Sequence, residues 1–314
     1  MNPLSLEIFR GERLVILGCG YVGSAVAHQA LDAGLKVVAV SRNEQKLEHL
    51  RQRGAETVVA DLDSTGWYER VTGEAKLVLN CVSSAGGGLT GYQRSYVDGQ
   101  RAVVEWARQR KPGPERCIFT GATSVYPQTG KADVDENAST DGCGDNGRLL
   151  LESEAILREG AAVFSQATVL RLAGIYGPGR HYLLDAVREG RKVMSGQGDY
   201  LVNLIHRDDI CKAIWLAFMH GPEEPFRIYN IADGNPATRQ EMTRWLAEQA
   251  GAEPPRFDPD AAGERAQRRA NSRGELPDRR IVADKAREEL GWSPHFPTYQ
   301  DGFRAILESP HGNA

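Results

Sequence analysis

The sequence predicts an α/β fold, a doubly wound parallel sheet followed by a smaller C-terminal lobe. Three observations carry that expectation. Short apolar runs alternate with helical segments through the first 172 residues. A glycine-rich turn joins the first run to the first helix. After Gly179 the alternation breaks into shorter pieces. Strands that alternate with helices at this spacing pair in parallel, with helices on both faces of the sheet.

The elements follow in order. Leu14 to Leu17 reads as a buried strand, residues 21–33 as a helix, and Gly34 as its stop. Lys36 to Val40 is a second, β-branched strand; residues 44–53 are helical and stop at Gly54. Thr57 to Ala60 and Leu77 to Cys81 are the third and fourth strands. A long helix is expected over 93–110, with Pro112 beyond it, then a strand from Cys117 to Thr120. Residues 148–159 are helical, and Ala167 to Leu172 is the sixth strand. Beyond Gly179, short strands (Leu201 to Ile205, Ile228 to Ile231) alternate with helices near 208–219, 239–250 and 284–290. Residues 253–278, rich in Pro, Asp, Gly and Arg, read as a long loop. The expected division is a nucleotide-binding domain over 10–180, with 206–233 returning to it, and a substrate lobe from 181–205 and 234–314.

Composition bounds the function. The chain has 314 residues, 41% hydrophobic and 25% charged, enough to bury a full core without staples. Its net charge of −4 and the lack of a reader motif argue against nucleic acid as a partner. Cys19, Cys81, Cys117, Cys143 and Cys211 are odd in number, widely spaced and form no CxxC pair, so neither a zinc site nor a disulfide framework is expected. Reduced cysteines suit a cytoplasmic protein. The N-terminus lacks the pattern of a secretory signal, and no run of 18 apolar residues exists to span a membrane.

The segment Leu14 to Gly23 (LVILGCGYVG) carries the main functional signal. Gly18 permits a tight turn out of the strand, Gly20 lets backbone approach a pyrophosphate, and Gly23 lets the helix pack closely. The helix tip then offers free N–H groups and partial positive charge to phosphates. The motif follows a strand, opens a helix and leads to a second strand, the context of a Rossmann dinucleotide site. Gly18, Cys19, Gly20, Tyr21, Val22 and Gly23 are therefore cofactor-binding candidates. At the end of the second strand, where an NAD-preferring site places a carboxylate, stand Ser41 and Arg42. Arg42 suits a 2′-phosphate, so NADP is expected over NAD; the alternative is a solvated loop arginine. By position, Asp61 and Leu62 would flank the adenine, and Val82 and Ser83 would lie along the pyrophosphate and ribose.

Four later segments extend the picture: Phe119 to Tyr126 (FTGATSVY), Leu170 to Gly179 (LRLAGIYGPG), Asn203 to Ile210 (NLIHRDDI) and Tyr229 to Ala232 (YNIA). In order and spacing the chain resembles the extended short-chain dehydrogenase/reductases of the epimerase/dehydratase type. In the segments Gly177 to His181, Asn146 to Arg148 and Glu289 to Trp292 it resembles their atypical YeeZ-like branch. The resemblance implies a small-molecule substrate like a nucleotide sugar, adds Thr120, Ala173 and Ile175 to the cofactor contacts, and implies a homodimer through helices 93–110 and 148–159. It also implies Thr123, Ser124, Tyr126, Asn146, Arg180 and Arg279 on the substrate side, with the arginines suited to an anion; the plainer reading of Tyr126 is a packing residue at the mouth of the site. Arg256, Arg265, Arg268, Arg269, Arg273 and Arg280 belong to the same basic C-terminal stretch and also read as a solvated loop.

The family's chemistry uses a Ser or Thr after the fifth strand, a Tyr, and a Lys four residues beyond the Tyr. Here the matching positions hold Ala122, Asn146 and Leu150, and no Tyr-x-x-x-Lys occurs elsewhere. Cys143, Asp145, Arg148 and His181 are the polar candidates to take over. Turn chemistry is the plainer reading of the first two, and a surface or substrate contact that of His181. Two function classes stay open: an oxidoreductase or epimerase-like enzyme with a non-standard acid, and a cofactor-binding sensor without turnover.

Overall fold

A computed structural model describes residues 3–84, 87–220, 224–261 and 277–308. Arginines 265, 268, 269 and 273, named above, lie outside the described residues. The core is a seven-stranded parallel sheet. Its members are β1 (Arg13–Leu17), β2 (Lys36–Ser41), β3 (Glu56–Val59), β4 (Leu77–Asn80), β5 (Arg116–Ala122), β7 (Gln166–Leu172) and β12 (Phe226–Ile231). The short strand β6 (Ala132–Val134) lies outside it. The order is β12-β7-β5-β4-β1-β2-β3. The chain winds outward from β1 through β2 to β3, then crosses back to β4 on the other side of β1. That reversal opens a crevice beyond the C-terminal ends of β1 and β4, where ligands of such sheets bind.

The helices fall where apolar periodicity puts them, with two informative differences. α1 (Tyr21–Asp32) and α2 (Glu44–Gln52) follow expectation, and Gly34 and Gly54 take φ of +80° and +96° as helix stops. The helix expected over 93–110 begins earlier, as α3 (Gly88–Tyr92), a π-helical turn (Gln93–Asp98) and α4 (Gly99–Arg108). α5 (Asp145–Glu159) begins three residues before the expected 148. Gly147 is inside that helix, closely packed. A Cβ there would sit 3.0 Å from the Cys143 Cβ and 3.1 Å from the Ser124 carbonyl oxygen.

The C-terminal lobe has its own apolar cluster, built on Tyr176, Leu184, Val187, Leu204, Met242, Leu246 and Phe303. It uses β8 (Gly174–Tyr176), α6 (Tyr182–Arg188), β9 (Val193–Ser195), β10 (Leu201–Val202), β11 (Leu204–His206), β13 (Ala237–Thr238) and α8 (Arg239–Gln249). β14 (Arg256–Asp258) pairs with β9 inside the stretch expected to be loop, and β15 (Arg279–Ile281) pairs with β6. A last helix, Tyr299–Glu308, absent from the sequence reading, buries Tyr299, Phe303 and Ile306. Between lobe segments the chain returns to the sheet: α7 (Arg207–Met219) packs on α1, and β12 pairs with β7. Cys19, Cys81, Cys117, Cys143 and Cys211 form no disulfide. Among the described residues no helix is long and apolar enough to cross a membrane.

Asp233, just after β12, marks the junction and is 1% exposed. Its Oδ1 accepts the Asn235 N–H at 2.9 Å, while Oδ2 has no partner. Burial, with the Asp209 carboxylate adding to it, pushes its pKa up to about 7. The Tyr176 hydroxyl, which feels the Asp233 charge, is likewise buried without a partner.

Candidate functional site

The glycine turn is built as its spacing requires. Gly18 has φ +96°, and a Cβ on it would lie 2.7 Å from the Val82 amide nitrogen at the end of β4. A Cβ on Gly23 would lie 2.2 Å from the Gly18 carbonyl oxygen and 2.7 Å from Cys81 Sγ. Gly20 is different: nothing lies within 4 Å of where its Cβ would be. Two glycines are thus demanded by contact within the protein, and the third borders open space. No side chain caps α1, so its first N–H groups are left without a side-chain acceptor. An uncapped helix tip beside open space suits a phosphate group. The cradle therefore fits a dinucleotide.

Cys19 turns its thiol inward, fully buried, and burial pushes the pKa up to about 12. Val22 is buried too. The Tyr21 hydroxyl donates to the Pro178 carbonyl at 2.9 Å, and Arg180 and Arg207 lie 5.5 and 5.3 Å from its ring centre. The first turn of α1 is thus tied to the Gly177–Gly179 turn.

At the outer end, Arg42 is ion-paired with Asp61 at 3.5 Å, which brings two predicted residues together. Asp61 also accepts from Arg94 at 3.0 Å, and Arg94 reaches Asp63. Ser41 Oγ accepts the Asn43 N–H at 3.2 Å, and Leu62 is buried beneath Gly99. Val82 and the exposed Ser83 follow β4; Thr120 near the end of β5 and Ala173 just after β7 are buried, and Ile175 on β8 is half-buried. All belong to the C-terminal side of the sheet.

The substrate-side candidates divide into separate groups. Thr123 and Arg279 meet: the guanidinium donates to the Thr123 carbonyl at 2.7 Å, and both residues are buried. Ser124 and Asn146 are half-buried nearby, with the Ser124 carbonyl against Gly147. Tyr126 is fully buried, which agrees with its reading as a packing residue and removes it from the substrate contacts. Its hydroxyl donates to Asn230 Oδ1 at 2.9 Å and accepts from Arg171 at 2.7 Å, and Arg171 grips Glu154 through two bonds of 3.0 and 2.6 Å. The aromatic ring filled a gap in the core instead of reaching the cleft.

Cys143 is buried against Gly147, so its thiol has little access. Asp145 and Arg148 pair with each other and border a cavity of about 420 Å³, with Leu89, Thr90, Gln93 and Leu149. His181 lies apart from these on the α6 side, buried, its Nδ1 2.6 Å from Asp185 and its Nε2 without a partner. Arg180 is at Tyr21, not with Arg279, and Arg280 pairs with Asp133. Ala122 is half-buried and Leu150 buried, and their hydrocarbon side chains have no proton to offer. Among the described residues no cluster of His, Cys, Asp and Glu could hold a metal ion.

Comparison with known proteins agrees with this frame. The model of the NAD dependent epimerase/dehydratase family matches residues 14–232. Protein YeeZ of Escherichia coli (strain K12) is 29% identical over 255 residues, covering 78% of this chain and 86% of the relative. A 3-diazoavenalumate denitrifying reductase of a Streptomyces species is 30% identical over 220 residues, 67% of this chain and 70% of the relative. The structure of MoeE5 in complex with UDP-glucose and NAD superposes with a TM-score of 0.76 at 20% identity, covering 94% of this chain and 96% of that one. The glycine cradle, the strand order and the match across most of the chain lead to one conclusion: this protein belongs to the NAD dependent epimerase/dehydratase family.

Proposed function

We propose that this chain is an oxidoreductase or epimerase-like enzyme that prefers NADP(H), accepts NAD(H), and acts on a nucleotide sugar or another small polar substrate. The observation that carries the reading is the uncapped tip of α1 beside the open space at Gly20. The backbone N–H groups of Tyr21, Val22 and Gly23 would hold the diphosphate. Arg42, exposed at the end of β2, would turn from Asp61 to a 2′-phosphate, leaving Asp61 to Arg94. The buried Arg279 guanidinium beside Thr123 would draw an anionic substrate into the cleft. A bound nicotinamide would supply or accept a hydride at its C4. The relative named as a reductase supports redox chemistry, and the UDP-glucose complex of MoeE5 supports the substrate class.

Ala122, Asn146 and Leu150 at the family's acid-base positions favour a second reading, cofactor binding without turnover. Calorimetric titration with NADPH, NADP, NADH and NAD tests the shared premise. A reduced-nicotinamide absorbance assay over carbonyls, alcohols and nucleotide sugars then separates the two readings. Absence of binding by all four nucleotides refutes both.

A further inference from the structure

The helical run over 88–108 is interrupted by the π-helical turn Gln93–Asp98. A π turn inside an α-helix is rare and is frequent at functional sites. Here it carries a phenol. Tyr96 lies within the turn, its ring 6.2 Å from Phe119 of β5 in an edge-on contact and 5.0 Å from Tyr92. Its carbonyl accepts from Ser153 Oγ at 2.9 Å, which fixes the turn against α5 two helical turns beyond Asn146. The Ser84 backbone, next to Val82 and Ser83 beyond β4, lies close enough to its phenol to favour the ionised form. The side chain is half-buried, not sealed. The ring therefore packs on β5, and the backbone beneath it is tied to α5, the helix that carries Asn146.

Three other phenols are held by partners of their own. Tyr126 is sealed by Arg171 and Asn230, Tyr21 donates to Pro178, and Tyr229 donates to Glu289. We propose that Tyr96 is the proton-transfer residue of this site, acting on the oxygen of a carbonyl or alcohol group in place of the tyrosine that α5 lacks. This rests on the reading that the chain binds NAD(P)(H) and turns over. In reduction, the phenol O–H bond breaks and its proton passes to the carbonyl oxygen while the carbonyl carbon receives the hydride of the reduced nicotinamide. The carbonyl is reduced to an alcohol, the cofactor is oxidised, and the phenolate regains a proton from water. Without cofactor, burial and the Tyr92 phenol hold the Tyr96 pKa up, and the Ser84 backbone works the other way. A positive charge beside it brings it down, and oxidised nicotinamide carries one.

The experiment follows phenolate ultraviolet absorbance during alkaline titration, with and without oxidised cofactor, in the wild-type chain, Tyr96→Phe and Tyr92→Phe. Cofactor should lower one phenol's midpoint in the wild type and in Tyr92→Phe by about one unit or more, a tenfold change in acid strength. The effect should vanish in Tyr96→Phe. That variant should keep the Kd for reduced cofactor within about twofold while carbonyl reduction falls by about a hundredfold or more. A shift that persists in Tyr96→Phe, or cofactor binding without any shift in the wild type, overturns the assignment alone. No cofactor binding in the wild type defeats the functional reading, and the assignment with it.

Discussion

Asp233→Asn turns a buried carboxyl into a measurable pH effect. Burial raises the Asp233 pKa from 3.8 to about 7. The folded chain therefore holds a proton that the unfolded chain has released, over the window between those values. Stability falls with pH wherever the folded state binds more protons. The contribution is complete below the unfolded value, is lost progressively as pH rises, and is gone above about 7. About three pKa units correspond to roughly 4 kcal/mol across the whole window. Between pH 5 and pH 8 the share is roughly 2.5 kcal/mol. Asn keeps the Oδ1 acceptor for the Asn235 N–H, and its amide can donate where Oδ2 now has no partner. Urea unfolding of both proteins at several pH values gives the difference in stability between them. Asp209, whose carboxyl burial also raises, contributes to both proteins and largely cancels. The advantage of Asp233→Asn should grow by the stated amount from pH 5 to pH 8. A difference that stays flat across that range would falsify the account of this junction.

Gly20→Ala and Gly23→Ala should separate ligand space from packing space. The Gly23 Cβ would strike backbone at 2.2 Å, so that variant should lose about 1–3 kcal/mol in thermal or urea unfolding. Gly20→Ala should unfold like the wild type yet bind NADPH at least tenfold more weakly, and unchanged affinity would move the diphosphate elsewhere. Arg42→Ala should weaken NADPH about ten- to a hundredfold with little change for NADH in a fluorescence titration; equal losses would refute the 2′-phosphate assignment. Glu154→Ala strands the Arg171 guanidinium in a site where both side chains are about 95% buried, so a loss of about 3–5 kcal/mol is expected. A loss under about 1 kcal/mol would mean that water reaches the pair.

What was legible in the sequence depended on how local its cause was. Gly18, Gly20 and Gly23 serve a single turn, so their spacing announced it. The strands of the sheet are short β-branched runs bounded by turns, and their positions followed. The start of α5 was hidden because Asp141 to Gly147 carries turn residues, while the space at Gly147 is set by Cys143 and Ser124 folding back onto it. The pairing of Arg42 with Asp61 and the sealing of Tyr126 by Arg171 and Asn230 depend on partners distant in sequence. The helix Tyr299–Glu308 did leave a signal: Thr298 Oγ1 bonds to the Asp301 carboxylate and receives its N–H at 3.2 Å, a cap three residues apart. Tyr96 left none, because nothing in composition marks a π turn.

The return of α7 and β12 to the sheet has a consequence during synthesis. Trp215 of α7 donates to Gln29 of α1 at 2.7 Å, and β12 covers the open edge of β7 along six residues. A nascent chain that has released only its first 180 residues from the ribosome has made the glycine turn but not the helix that braces α1. Completion of this half is therefore expected to wait on the intervening lobe segment, because α7 and β12 both follow it in the chain.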